Sequence, residues 1–433
     1  MKDNKEYFQD IILYDYIDVI TDYHSNGAYQ KLKENVTLKY EEDYAIMVRT
    51  LNFEANNFAS NLIYINEKEY NFLSKSKVYE NDILMNKIAN AGSVYVMPKH
   101  NKPTSLAMNL FLIRFNNLLN QKYMYYLMKT NEAYIKNFAN GTSTLTITKE
   151  SVKNLKFQVP SLLIQNKIAS ILSNLDKKIE LNNQINQKLE SMAKTLYDYW
   201  FVQFDFPDDD GKPYKSSGGK MVYSEELKRG IPEGWEVFSL SSIVKSNYKS
   251  ITKNDIFEEI EYLDTSSLTR NQIDVTEHLK TDLDKIPSRA KRIINTNDIL
   301  YSTVRPNLCH YGIIKYPIKN MIASTGFVQL STKVDWLSND LIYTFLTSSW
   351  ITSRLQQVAS LSVSSYPSIS ANDILELNIV LPKEGKGLDF INTKLDNIYS
   401  KISLNQIENQ KLTQLRDWLL PMLMNGQVGV ESK

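Results

Sequence analysis

Two stretches of the chain place hydrophobic residues at alternating spacings of three and four. This pattern predicts one long helix over about 162–204 and another over about 388–424, each opening after a proline, which the start of a helix tolerates. Polar residues interrupt both hydrophobic stripes. The positions that set the predicted register are Asn182, Ile185 and Leu189 in the first helix and Ile398, Ile402 and Asn405 in the second. The heptad spacing also places Met192 on the stripe of the first helix.

The two stripes match each other in one antiparallel register. It places Asn182 opposite Asn405, Ile185 opposite Ile402 and Leu189 opposite Ile398, so that polar residues face polar ones and apolar residues face apolar ones. Buried Asn pairs fix the register of a coiled coil at some cost in stability. We therefore predict an antiparallel coiled coil that joins two globular domains. The alternative is that each helix packs on its own globular domain as an ordinary amphipathic helix.

The chain also repeats itself. Asn81–Leu84 recurs as Asn297–Leu300, and three later matches keep the same order, with offsets between 216 and 223 residues. Each copy begins with about 150 residues of short β-branched and aromatic runs, which indicate a mixed α/β or mainly β globular domain. The predicted fold class is α+β: two tandem globular α/β domains, joined by two long antiparallel coiled-coil helices in a pseudo-twofold repeat. The predicted divisions are 1–160 and 207–383 for the globular domains, and 161–206 and 384–433 for the helical regions.

Composition narrows the class of protein. The chain has 433 residues, a net charge of +1 and one Cys. A single Cys excludes a disulfide framework and a Cys-based zinc site. Neither a signal peptide nor an apolar run of about 18 residues is visible, so we expect a cytoplasmic protein without a membrane partner. The near-neutral charge by itself argues against a nucleic-acid binder.

The charges are, however, segregated along the chain. Ile83–Asn131 and the matching Ile299–Val334 contain no Asp or Glu but several Lys and Arg. A basic face interleaved with amides and hydroxyls is typical of a duplex DNA reader, and a merely solvated basic surface is the alternative. Two reading domains separated by a helical rod of about 55 Å could reach successive major grooves. The candidate DNA-binding residues are Lys87, Lys99, Lys102, Thr142, Ser143, Arg289, Arg292, Arg305, Ser364, Ser365 and Tyr366.

Several segments resemble the specificity subunits of type I restriction-modification systems. They are Val159–Ala169, Leu175–Asn182, Tyr199–Phe201, Gly211–Gly219, Ile231–Trp235 and Leu419–Val428. The resemblance implies a non-catalytic subunit whose two target recognition domains each read half of a bipartite target in the major groove of double-stranded DNA. It also implies helical regions that set the spacer and dock two methyltransferase subunits, with motor-nuclease restriction subunits joining the complex. The chain departs from the family at Pro160-Ser161, where Pro-Pro is usual.

Catalytic chemistry is not expected in this chain. It lacks the Gly-rich turn and the Asn/Asp-Pro-Pro-Tyr/Phe motif of a methyltransferase, so a partner is expected to supply methylation. The resemblance implies that partner subunits use S-adenosylmethionine, ATP and Mg²⁺. Pro207-Asp208 with Glu226-Leu227-Lys228 imitates a metal-dependent nuclease, but the Gly- and Pro-rich turns between them argue against a core strand pair. The four His residues lack metal-ligand spacing. The alternative functions are a stand-alone DNA-binding regulator and an interaction scaffold. The net charge predicts that the subunit alone binds DNA weakly.

Overall fold

The computed structural model describes residues 8–252, 254–362 and 366–428. The chain divides into two compact units, one taken from Met1–Lys178 and Lys411–Lys433 and the other from Ile179–Gln410. Each unit contains one globular domain and a segment of each long helix. The globular parts, residues 8–160 and 235–383, are the first and the second domain.

The helices include two of unusual length. In chain order they are α1 (Tyr29–Asn35), α2 (Thr50–Glu54), α3 (Glu67–Phe72), α4 (Gln121–Thr130), α5 (Glu132–Lys136), α6 (Lys149–Lys153), α7 (Leu162–Tyr197), α8 (Leu240–Ile243), α9 (Asn339–Leu346), α10 (Ser349–Ser360), α11 (Ala371–Leu375) and α12 (Asp389–Met424). Helices α7 and α12 contain 36 residues each. A π-helical turn, Asp198–Val202, follows α7 directly.

The strands are short and occur in both domains. In chain order they are β1 (Phe8–Ile12), β2 (Ile17–Asp22), β3 (Ala45–Val48), β4 (Tyr64–Ile65), β5 (Lys77–Val78), β6 (Ile83–Asn86), β7 (Val94–Val96), β8 (Thr104–Leu106), β9 (Leu110–Phe115), β10 (Lys156–Pro160), β11 (Met221–Ser224), β12 (Arg229–Pro232), β13 (Trp235–Ser239), β14 (Val244–Ser246), β15 (Glu259–Leu263), β16 (Leu268–Thr269), β17 (Gln272–Ile273), β18 (Glu277–Lys280), β19 (Ala290–Ile293), β20 (Asp298–Ser302), β21 (Tyr311–Ile314), β22 (Met321–Ser324), β23 (Phe327–Thr332) and β24 (Asn378–Pro382).

The two domains have the same sheet topology. The first contains sheets of order β2-β9-β6-β7 and β4-β3-β8-β5 and the pair β1-β10; the second contains β14-β23-β20-β21, β18-β15-β22-β19 and the pair β13-β24. Even the parallel pairing is repeated, between β3 and β8 and between β15 and β22. The second unit has two further hairpins, β11-β12 and β16-β17. The predicted duplication of an α/β domain is therefore confirmed.

The repeated tetrapeptide Asn-Asp-Ile-Leu is a turn that starts a central strand. Asn81 and Asn297 both have left-handed backbone, with φ of 68° and 67°, a conformation that Asn tolerates better than most residues. The carboxylate of the following Asp82 or Asp298 accepts a 2.7 Å hydrogen bond from the backbone N–H three residues earlier. Strands β6 and β20 then begin with fully buried residues. The sequence repeat thus records a shared local structure.

The first part of each long helix packs on the domain that precedes it. Ile168 and Leu172 of α7 lie in the core of the first domain, and Ile391 and Leu395 of α12 lie in the core of the second. The alternative interpretation, an amphipathic helix on its own domain, therefore describes these segments. In the first unit the last turn of α12 also enters the core, where Leu423 is 3% exposed.

In the second unit the two long helices run antiparallel, in a register that differs from the predicted one. Asn182 Nδ2 donates to Asn409 Oδ1 at 2.9 Å, and Asn405 Nδ2 donates to Asn186 Oδ1 at 2.8 Å. Asn182, Asn186 and Asn405 are all buried. The predicted pairing of Asn182 with Asn405 is therefore wrong by about one helical turn, although buried Asn pairs do lie between the helices.

The register differs because the buried face of α7 is rotated from the predicted stripe. Asn186, Ala193 and Tyr197 are buried, whereas Met192, which the heptad pattern placed in the stripe, is 54% exposed. A helix that must contact both a partner helix and a globular core buries a wider face than a two-stranded coiled coil does. Of the other predicted register residues, Ile398 and Ile402 are buried, and Ile185 and Leu189 are half-buried.

Polar contacts connect the long helices to the domains. In the first unit, Arg416 Nη1 of α12 lies 2.8 Å from Asp176 Oδ1 of α7, and that carboxylate also accepts a hydrogen bond from Tyr126 of α4. In the second unit, Lys315 Nζ lies 2.8 Å from both Asp340 of α9 and Asp396 of α12. The side chain of Lys315 is 2% exposed. The first contact connects α4 to both long helices, and the second connects α9 to α12.

Candidate nucleic-acid interface

In the second domain three loops meet at the end of β20. Thr303 N–H donates to Gly326 O at 2.9 Å, Arg305 N–H donates to Pro367 O at 2.9 Å, and Ile369 N–H donates to Thr303 O at 2.8 Å. We call Thr303–Leu308, Thr325–Gly326 and Tyr366–Ile369 the second loop cluster. These loops belong to stretches of the chain, 299–334 and 341–372, that contain no Asp or Glu.

The first domain repeats this arrangement at the end of β6. Lys87 N–H donates to Asn109 O at 2.9 Å, Ala89 N–H donates to Leu145 O at 2.9 Å, and Ile147 N–H donates to Lys87 O at 3.0 Å. The first loop cluster is thus formed by Lys87–Asn90, Met108–Asn109 and Asn140–Thr146. An isolated β-bridge joins the loops in each copy, Ile88 with Thr146 and Val304 with Ser368.

Lys87, a predicted DNA-binding residue, is engaged inside the first domain. Its Nζ lies 2.8 Å from Asp22 Oδ2, and its side chain is only 13% exposed. Lys149, which the sequence analysis missed, lies 2.9 Å from the other oxygen of the same carboxylate. Burial acts to raise the pKa of Asp22, but hydrogen bonds from Lys87, Lys149 and Ser25 outweigh it and hold that pKa well below its usual value. This pairing makes Lys87 a structural cation.

The other two predicted lysines belong to the loop between β7 and β8. Lys102 Nζ lies 3.0 Å from Glu42 and donates to the backbone oxygen of Asp43 at 2.8 Å, next to β3. Lys99 is exposed. The structure therefore places Lys102 against the second sheet of the first domain, where its charge is matched, while Lys87 lies in the first loop cluster.

The predicted polar loop residues of the first domain do lie in the first loop cluster. Thr142 and Ser143 are exposed, and they follow Gly141, where an added Cβ would lie 2.2 Å from Thr144 O. Glycine is therefore required for this turn. In the second loop cluster Tyr366 is 59% exposed. Ser364 and Ser365 lie outside the described residues.

The three predicted arginines have different surroundings. Arg305 is exposed and belongs to the second loop cluster. Arg289 is exposed next to that cluster, because its backbone oxygen accepts a 2.8 Å hydrogen bond from Thr325 N–H. Arg292 is half-buried in β19; its Nη1 donates to Ser250 at 2.8 Å, and burial lowers its pKa. Arg305 thus lies in the second loop cluster and Arg289 next to it, neither with an ion pair to a described residue, whereas Arg292 is hydrogen-bonded within the domain.

Sequence reasoning also missed candidates in and beside both loop clusters. In the first they are the exposed amides Asn90, Asn109 and Asn140; beside the second it is Arg354, exposed on α10, the helix whose Gln356 side chain accepts from Asn307 N–H at 3.1 Å. No ion pair among the described residues engages Arg289, Arg305 or Arg354. The acid-free stretch 341–372 was the signal that could have found Arg354.

The residues that imitate a metal-dependent nuclease make hydrogen bonds within the protein. Asp208 Oδ1 accepts from the backbone N–H groups of Asp210 and Lys212 within a tight turn, and Glu226 accepts from Asn378 Nδ2 at 2.6 Å. Within 8–252, 254–362 and 366–428, no group of three or more His, Cys, Asp or Glu side chains could hold a metal ion. None of the helices in these ranges combines the length and hydropathy needed to cross a bilayer.

Comparison with known families decides between the candidate classes. A family model described as "Type I restriction modification DNA specificity domain" matches residues 21–191 and 232–414, one match for each copy. The chain belongs to this family. Membership supports DNA sequence recognition as the function of the chain, and nothing in the comparisons supports a stand-alone regulator or scaffold.

Individual relatives agree with the family. The chain is 25% identical over 418 residues to the type I restriction enzyme HindI specificity subunit of Haemophilus influenzae, covering 84% of this chain and 90% of that one. It is 26% identical over 320 residues to the MjaIX specificity subunit of Methanocaldococcus jannaschii, covering 72% and 69%. The crystal structure of a type I S subunit from M. genitalium has the same fold, with a TM-score of 0.56 at 18% identity over 98% of both chains.

Proposed function

We propose that this chain is the DNA sequence-recognition subunit of a cytoplasmic type I restriction-modification complex, in which each domain reads one half of a bipartite target through its loop cluster. The observation that carries the proposal is the repeated loop cluster, built on the same backbone hydrogen bonds at the same end of matching strands. In both copies the loops of the cluster contain no acidic residue, which favours contact with a polyanion.

The role proposed for each residue of a cluster depends on the chemistry of its side chain and on its exposure. Free cations such as Arg289 and Arg305 are suited to phosphates and guanine edges, and exposed amides and hydroxyls such as Asn90 and Thr142 are suited to base edges in the major groove. Lys87 contributes by holding the loop through Asp22. The subunit is proposed to supply recognition, while partner subunits bind S-adenosylmethionine, ATP and Mg²⁺ and carry out methylation and cleavage.

The long helices are proposed to set the spacer and to dock two methyltransferase subunits. Both helices expose apolar side chains at positions related by the internal repeat of 223 residues: Leu181 and Leu404 are 50% and 48% exposed, and Met192 and Leu415 are 54% and 43% exposed. Half-exposed apolar residues at matched positions are typical of a surface covered by a partner. Their repetition supports two equivalent docking sites and hence two copies of the same partner.

The test is co-expression with the cognate methyltransferase subunit, followed by purification and mapping of methylated adenines in the host DNA. We expect a complex of two methyltransferase subunits per chain and a bipartite methylation motif. Leu181→Asp combined with Leu404→Asp is expected to lower the stoichiometry, whereas the matched control Gln187→Asp, at an exposed polar position of α7, is expected to leave it unchanged. A wild-type complex that binds the partner but methylates no bipartite motif would contradict the proposal.

A further inference from the structure

The two loop clusters share a backbone but differ in the side chain at one equivalent position. Ala89 and Arg305 each donate a 2.9 Å backbone hydrogen bond to the neighbouring loop, to Leu145 O and Pro367 O respectively. Both have left-handed backbone, with φ of 66° and 46°. They are also 216 residues apart, the offset of the Asn-Asp-Ile-Leu repeat. The first cluster therefore presents a methyl group where the second presents a guanidinium.

The backbone at this position is unusual for either residue. Non-glycine residues rarely adopt positive φ, and such outliers concentrate at sites where the chain is held for a purpose. The conformation recurs in both copies and is fixed in each by a hydrogen bond from the residue itself. Arg305 is thus displayed from a constrained loop, which reduces the freedom that the arginine loses when it binds.

The surroundings of Arg305 also offer more unpaired positive charge than those of Ala89. In the first cluster the cations are matched, because Lys87 and the nearby Lys149 share the carboxylate of Asp22. In and beside the second cluster no ion pair among the described residues engages Arg305 or Arg289, and the loops carry no acid. Only the second cluster therefore offers a guanidinium at its tip that is free to form new hydrogen bonds.

The exposed groups of the first cluster are neutral. Asn90, Asn109 and Asn140 present amides, and Leu145 is 50% exposed. An Asn amide pairs with the N6 and N7 edge of adenine, and an apolar side chain contacts the methyl group of thymine. A guanidinium instead makes two parallel hydrogen bonds to O6 and N7 of guanine. The two clusters are suited to different base pairs.

We propose that the second domain recognises a guanine through Arg305, and that the first, with Ala89 at the equivalent position, recognises A·T pairs through its exposed amides. This inference rests on the proposed function, and it makes Arg305 a specificity-determining residue. It also predicts a target whose two halves differ in composition, with the required guanine in the half bound by the second domain.

The experiment uses the assembled complex with its methyltransferase subunits and a plasmid library in which the target is randomised. Methylated adenines are mapped for wild type, Arg305→Ala, Arg305→Lys and Ala89→Arg. Arg305→Ala is expected to relax the motif at one G·C position of one half-site by roughly 10- to 100-fold and to leave the other half unchanged. Arg305→Lys is expected to recover only part of the preference, since an ammonium cannot reproduce the bidentate fork.

The variant Ala89→Arg is the matched counterpart. Its side chain enters a position where the second copy already holds an arginine in the same backbone conformation, and Ala89 shows that alanine is accepted there, so both exchanges should fold. We expect Ala89→Arg to change preference only in the half read by the first domain. Melting temperatures of the complexes check that folding is retained.

Three results would overturn the inference. The first is a methylation motif of Arg305→Ala that is identical to that of wild type. The second is a relaxed position in that motif that is not a G·C pair. The third is a loss of DNA affinity by Arg305→Ala that is uniform across all sequences with a reduced salt slope, which is the signature of a phosphate contact. An Ala89→Arg motif identical to wild type would equally remove the first cluster as a reading surface. A wild-type complex that methylates nothing would instead contradict the proposed function.

Discussion

Asn405 donates a 2.8 Å hydrogen bond to Asn186 across the two long helices, and both side chains are buried. The reciprocal pair, Asn182 with Asn409, lies one turn away at 2.9 Å. We call these two hydrogen-bonded pairs the Asn ladder. A buried amide that loses its partner still carries the free-energy cost of desolvation, so the Asn ladder opposes any shift of one helix along the other. It is the feature of the second unit that defines the helix register.

Removing one amide of this ladder should lower stability. We expect Asn186→Ala to decrease the free energy of unfolding by about 1–2 kcal/mol, because Asn405 is then left buried with an unpaired amide. Urea denaturation of the purified subunit measures the change. The control is Gln187→Ala, an exposed amide on the same helix, for which we expect a change within about 0.5 kcal/mol. Equal effects of the two variants would show that the ladder contributes nothing specific.

The buried lysine of the second unit is predicted to be a major stabilising residue. Lys315→Met keeps the length of the side chain but leaves the buried Asp340 without its cation, so we expect a loss of about 3 kcal/mol at neutral pH. Lys319→Met, at an exposed position of the following loop, should cost less than about 0.5 kcal/mol. Chemical denaturation measures the loss of stability in both variants. Equal losses would show that removing a positive charge, rather than breaking the buried ion pair, causes the effect.

The same variant should show a distinctive pH dependence. Burial raises the pKa of Asp340 above its usual value even with Lys315 present, and removing the lysine raises it further. A carboxyl whose folded-state pKa is raised contributes stability at low pH and loses it as the pH rises through that pKa. The deficit of Lys315→Met relative to wild type should therefore shrink on acidification from neutral pH, as the pH approaches the raised pKa of Asp340. A deficit that stayed constant or grew on acidification would rule out a stranded carboxylate as its cause.

Lys87 is predicted to affect stability more than DNA binding. Lys87→Met should lower the free energy of unfolding by about 1–2 kcal/mol because Asp22 loses one of its two cations, while the salt slope of DNA binding by the complex stays unchanged. Asp22 has a depressed pKa, so its contribution is present above its usual pKa and is lost as the pH falls through the depressed one. Wild type should thus lose more stability in acid than the variant. Lys99→Met, at an exposed position, is the control for DNA affinity.

Tyr126 offers a test of how the first domain is fastened to its helices. Its hydroxyl donates to Asp176, which Arg416 also contacts at 2.8 Å. We expect Tyr126→Phe to cost about 1 kcal/mol, because the carboxylate loses a hydrogen bond in a largely buried place. Tyr125→Phe is the matched control, since no hydrogen bond of that hydroxyl occurs among the described residues. Thermal denaturation of the two variants should separate them; indistinguishable melting points would argue against the contact.

The sequence predicted the duplication and the long helices but not the face on which those helices pack. Heptad spacing selected Met192, which is exposed, and passed over Ala193, which is buried one residue later. Adjacent stripes of a helix differ by one residue, and only the neighbouring domain determines which one is covered. A polar residue such as Asn186 gave no sign of burial, because its partner is 219 residues away.

The candidate interface was predictable to a similar extent. The acid-free windows contain Lys87 and Arg305, which lie in the first and the second loop cluster; whether these loops bind DNA stays a prediction. Such windows count only nearby residues, so they could not reveal that Lys87 is matched by Asp22, 65 residues away, or Lys315 by Asp396, 81 residues away. The charge of a surface depends on tertiary pairing, which a linear count does not contain.

The last turn of α12 has a consequence for the order in which the protein is made. Leu423 and Met424 lie in the same core cluster as Ile11 and Ile83, so the first domain lacks part of its interior until the end of α12 has been synthesised. Contacts across more than 400 positions close late and slowly. Synthesis of α12, rather than completion of residues 8–160, is therefore the event that allows the first domain to finish folding.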